Sequence, residues 1–160
     1  MLKITALSII ISLAGFVSKV SADDHANYLK DFKTDLCTSW PEGTREQPSL
    51  WAHCCIKHDL SYWVAGTKND RHLGDLELKS CVTKAHSAFM GELMYQGVKA
   101  GRLSPIKGKW RWGWAWPKSR PKHKKLSAIE LQHALATSYA QENVDPQLMQ
   151  EFIDFRFPIQ

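Results

Sequence analysis

The sequence predicts a mostly α protein: two long antiparallel helices, disulfides that staple them, and a C-terminal helical extension. Three observations predict it. Residues 50–64 contain no Gly or Pro and are followed by Gly66, the residue type favoured just past a helix end. Thr67-Lys68-Asn69-Asp70 has the pattern of a capping box, which opens a second helix at once and leaves only a tight Gly66-Thr67 turn, so the two helices run antiparallel. The four cysteines, Cys37, Cys54, Cys55 and Cys81, are an even set in a chain that begins like an exported one, and read as two disulfides.

The elements follow in order. Residues 1–22 read as a signal peptide: Lys3, an apolar stretch over residues 4–17, then Val20-Ser21-Ala22 before Asp23-Asp24. That stretch is about 14 residues, short of the roughly 20 needed to span a bilayer. Residues 26–34 suit a short amphipathic helix. Residues 35–48, rich in Pro, Gly, Thr and Glu, read as loop, and Ser49 as the cap of the first long helix. The second helix passes through Leu73, Leu76, Leu78 and Val82, with Phe89, Leu93 and Val98 as candidate end points, where Gly91 and Gly97 weaken it. Residues 101–121 are irregular or a short β-ribbon. Ser127-x-x-Glu130 opens a further helix that ends near Asn143, and Asp145-Pro146 opens the last. The divisions are a core domain over residues 23–117, then a basic linker and helical extension over residues 118–160.

Charge is distributed unevenly. Without residues 1–22 there are 19 Lys and Arg against 16 Asp and Glu, a net charge of +3. Residues 99–129 hold ten of these cations and no acid, whereas residues 130–160 hold five acids and one Arg. A basic block on a modest net charge predicts an anionic surface as partner, and export argues against nucleic acid.

The chemistry-bearing run is Cys54-Cys55-Ile56-Lys57-His58-Asp59-Leu60-Ser61-Tyr62. On a helix Cys54, His58 and Tyr62 share one stripe, and Cys55 and Asp59 the next. Zinc on His53, Cys54, Cys55 and His58 is a competing reading, disfavoured because adjacent cysteines are poor ligand spacing. The pattern Cys-Cys-x-x-His-Asp-x-x-Tyr, with an Asp six residues before a later Cys, resembles the secreted phospholipase A2 superfamily over residues 36–82. The resemblance implies bridges Cys37–Cys55 and Cys54–Cys81. It implies His58 as general base for a water, Tyr62 and Asp75 as its supporting network, and Asp59 as calcium ligand. It also implies the carbonyls of Leu36, Thr38 and Trp40 as further calcium ligands, and phospholipid membranes or micelles as substrate. If Cys54 bridges Cys81, Asp75 lies about 9 Å back along the second helix, between the levels of His58 and Tyr62 at 1.5 Å per residue.

Two departures stand out. Ser61 and Gly74 occupy both ends of a bridge the family usually has. The calcium loop reads Cys37-Thr38-Ser39-Trp40 in place of Cys-Gly-x-Gly, so Asp35 and Glu42 are alternative oxygen donors. A binding module with the same fold and no turnover is therefore the alternative to a hydrolase. Trp110, Trp112, Trp114 and Trp116 alternate, so a strand would put them on one face, either as a roof on the helix pair or as an interfacial belt. Lys118, Arg120, Lys122, Lys124 and Lys125 follow as cations expected to project into water beside anionic lipid. His25, His72, His86, His123 and His133 read as surface residues.

Overall fold

A computed structural model describes residues 29–103 and 111–158. The residues described form five α-helices and no strand: α1 Ala52–Val64, α2 Lys68–Ala85, α3 Ala88–Leu103, α4 Ala128–Tyr139 and α5 Pro146–Arg156. Residues 1–22, expected to be a signal peptide, and Trp110 lie outside the described residues.

The α1–α2 hairpin is as expected, apart from its first turn. Ser49 does not cap it; Trp51 stands at the N-cap position with no side-chain bond. At the other end Ala65 and Gly66 take positive φ, 63° and 131°, and turn the chain. Thr67 and Asp70 then close a reciprocal capping box on α2. Cys54–Cys81 clamps the hairpin, and Cys37–Cys55 ties the preceding loop to α1. Among the described residues no helix is long and apolar enough to cross a membrane.

The second long helix is two helices. It breaks at His86-Ser87, and α3 folds back along α2, with Lys79 paired to Glu92 and Arg102 reaching Asp75. No Gly or Pro marks the break. Ser87 does: its hydroxyl accepts from Met90 N–H and its carbonyl from Gly91 N–H, so it starts a new helix as a polar cap. Gly91 is needed for packing and does not mark a weak end. A Cβ there would lie 2.6 Å from the Lys79 carbonyl oxygen.

Residues 29–34 are not helical, which corrects the expectation over that part of residues 26–34. Their backbone groups are drawn outward. Lys30 donates to Ala115 O and accepts from the Trp63 indole, and Phe32 N–H donates to the Gln141 side chain. That last bond also accounts for α4 ending at Tyr139 rather than near Asn143, since Gln141 and Asn143 both turn their amides to Phe32.

The residues described in the aromatic segment form turns, not a β-ribbon, and the tryptophans do not share one strand face. Trp112 and Trp116 are core. A helix leaves its last four carbonyls without intrahelical partners, and this segment caps the end of α1. Gly113 N–H donates to Tyr62 O, the Trp116 indole to Val64 O and the Trp112 indole to Gly66 O, while Arg156 of α5 donates to Ala65 O. The same core contains Leu60 and Trp63 of α1, Ala134 of α4 and Phe152 of α5, so the C-terminal helices pack on the hairpin itself.

Two of the five cations expected to project into water do not. Arg120 is buried, with Nε 2.6 Å from Glu130 Oε1 and its guanidinium 4.8 Å from the Trp116 ring. Lys124 Nζ lies 3.7 Å from the same carboxylate. Glu130 is the fully buried third residue of the α4 capping box, so an ion pair belongs there.

Candidate functional site

The Cys54–Cys81 clamp fixes the register between α1 and α2, and that register brings His58, Tyr62 and Asp75 together. Asp75 is fully buried on α2. Its Oδ1 lies 2.9 Å from His58 Nε2 and accepts the Tyr62 hydroxyl at 3.0 Å. With Nε2 held against a carboxylate, Nδ1 is the ring nitrogen available to take a proton. The His58 and Tyr62 rings lie 4.4 Å apart, and Trp112 packs edge-on against Tyr62 at 5.2 Å. Burial, and then the Asp75 charge, push the Tyr62 hydroxyl well above its usual range, so it stays a neutral donor.

A third partner of Asp75 was not anticipated: Arg102 Nη1 is 3.2 Å from Oδ2. It comes from the last turn of α3. The sequence spacing hides it, because Arg102 reaches Asp75 only once α3 folds back. Thr34 was also unanticipated. Its hydroxyl donates to Asp59 Oδ2 at 2.6 Å and its oxygen accepts from Leu36 N–H, so it links the loop to the helix.

Asp59 sits on the neighbouring face, as its place in the sequence requires. Burial raises its carboxyl from 3.8 to about 6, against the Thr34 bond, which lowers it, and the nearby Asp35 charge pushes the same way as burial. Leu36 and Thr38 both adopt φ of 60°, a left-handed conformation that glycine takes freely and other residues hold at a cost of roughly 1–3 kcal/mol. Turn bonds support it: Thr38 N–H to Asp35 O and Trp40 N–H to Cys37 O. These use the carbonyls of Asp35 and Cys37 and leave those of Leu36, Thr38 and Trp40 outside the turn's own bonding.

His58, Asp59 and Tyr62 line a cavity of about 1150 Å³ together with the loop from Asp35 to Trp40. Of the two alternative oxygen donors, Asp35 lines this cavity and Glu42 does not. The donor set suits a hard cation in kind: one desolvated carboxylate, a second beside it, and a loop of backbone carbonyls. The zinc reading fails, because Cys54 and Cys55 are both bridged; His53 lies near the Cys54 and Cys81 sulfurs, but these form a disulfide and offer no thiolate. No family model, curated protein or solved structure matches the chain.

Proposed function

We propose that the protein is an exported, calcium-dependent hydrolase of glycerophospholipid acyl esters, of the phospholipase A2 kind. The observation that carries this reading is the convergence of His58 and Tyr62 on the buried Asp75 at the wall of a cavity that Asp59 also lines.

In this mechanism Asp75 orients His58 through Nε2, and Nδ1 accepts a proton from a water as its oxygen attacks the ester carbonyl carbon. The tetrahedral adduct collapses when the protonated His58 returns that proton to the leaving alkoxide oxygen, giving a fatty acid and a lysophospholipid. Asp59, with the Leu36, Thr38 and Trp40 carbonyls and Asp35, would hold calcium, which when bound supplies positive charge for the developing oxyanion. Tyr62 and Arg102 keep the Asp75 carboxylate in place. Leu36 and Trp40, both exposed beside the cavity, give the loop an apolar rim for a lipid surface.

Fatty-acid release from phospholipid vesicles, with calcium and with excess chelator, tests the reading. His58→Gln should lower turnover by at least about 10²-fold with an unchanged melting curve. Binding to vesicles with no release under any condition would leave a lipid-binding module in place of an enzyme.

A further inference from the structure

One side of α3 is turned inward. Gly91 sits against Lys79 and Thr83 of α2, and Met94 packs with Leu78 and Val82. The opposite side carries Phe89, Leu93, Gln96, Ala100 and Leu103, and all five are exposed, Phe89 at 74% and Leu103 at 87%. Their spacing alternates four and three residues over two heptads, the repeat that lines the seam between paired helices. No charge falls on the stripe. Apolar residues exposed singly are ordinary, whereas a continuous charge-free seam on an amphipathic helix marks a contact surface.

The residues flanking the seam select the partner. Glu92 and Lys99 stand one heptad apart on the same edge, and Met90 and Gly97 stand on the other. A second α3 laid antiparallel brings like edges together. Glu92 of each copy then meets Lys99 of the other, so one two-fold axis makes both ion pairs at once. In that register Phe89 falls on Ala100 of the second copy, beside Gly97, where a Cβ would meet nothing within 4 Å. Large packs on small. A parallel copy would set Glu92 against Gly97, and an anionic bilayer would repel Glu92. Glu92 already holds Lys79 and Gln96, one on each oxygen, but a carboxylate has about four acceptor sites and so has room for Lys99 of the second copy.

We infer that the protein pairs with a second copy of itself through α3, as an antiparallel coiled coil of two heptads. The inference does not rest on the hydrolase reading. A seam this short belongs with the small, transient interfaces, so pairing follows concentration.

Sedimentation equilibrium of the purified protein tests it. The mass should be that of two copies at about 200 µM and fall towards one copy on dilution. Phe89→Ser with Leu93→Ser should stay a single copy at the high concentration and melt as wild type does. Glu92→Lys alone and Lys99→Glu alone should each associate at least about tenfold more weakly. An equimolar mixture of the two should regain wild-type association, because each supplies the charge the other lacks. The mixture also separates pairing from the ion pair to Lys79 that Glu92→Lys loses within its own chain. A single-copy mass for wild type at about 200 µM overturns the inference, and so does a mixture that associates no better than its components. If wild type stays a single copy and Phe89→Ser with Leu93→Ser weakens vesicle binding, the face belongs to lipid instead.

Discussion

Burial lifts the Asp59 carboxyl from 3.8 to about 6, so the folded chain holds this proton more tightly than the unfolded chain does. The resulting stability is complete below pH ~3.8 and lost as pH rises past about 6, and above that an ionised carboxylate is retained where a neutral group would be favoured. Asp59→Asn should therefore raise the melting temperature at pH 7 by an amount equivalent to about 1–3 kcal/mol and change little at pH 4. A cation that recovers this cost must compete with the proton. Calcium should raise the wild-type melting temperature at pH 7.5, much less at pH 5, and not at all in Asp59→Asn. A calcium shift that persists undiminished at pH 5 would place the ion elsewhere. At this scale helical periodicity relates His58, Asp59 and Tyr62 in the sequence, and Asp75 joins them only through the Cys54–Cys81 bridge that the resemblance implies. Arg102 was not legible, since its approach depends on a helix break that no Gly or Pro announces.

At the scale of elements, the legible starts were those with side-chain caps: Thr67-Asp70, Ser127-Glu130 and Asp145-Pro146 all begin helices where their chemistry says they should. The illegible ones are decided by tertiary bonds. Residues 29–34 carry a helical pattern yet give their backbone groups to Ala115, Trp63 and Gln141. The α1–α2 hairpin offers a direct check of its register. Ser61 and Gly74 are both buried and face each other, and a Cβ on Gly74 would lie 3.0 Å from Ser61 Cβ. A disulfide needs about 3.5–4.5 Å between Cβ atoms, so a small separation of the helices would admit one. Ser61→Cys with Gly74→Cys should oxidise spontaneously and raise the melting temperature, by about 3 kcal/mol at most for so short a loop. Two free thiols after air oxidation of the folded double variant would mean that the helices pair in another register.

At the scale of the molecule, the basic aromatic segment divides into a structural half and a surface half. Trp112, Trp116 and Arg120 are buried and cap α1 or anchor α4, so they hold the C-terminal helices on the hairpin. Trp112→Ala should lower the melting temperature by the equivalent of about 3–5 kcal/mol, the range for losing a buried aromatic. Replacing Arg120 would leave Glu130 as an unpaired buried charge, so a test of surface charge must spare it. Lys118, Lys122 and Lys125 are the exposed remainder, and the first two line the cavity. If this face approaches lipid, their charges act where substrate enters, at about 1 kcal/mol each near an anionic surface. The triple Gln variant should then melt as wild type does but bind anionic vesicles about 10–100-fold more weakly, with the difference shrinking as salt shortens the screening length. Vesicle co-sedimentation at 50 and at about 500 mM salt reads both effects. Wild-type affinity in the triple variant at low salt would assign membrane attraction to another face and leave these lysines as solvated surface.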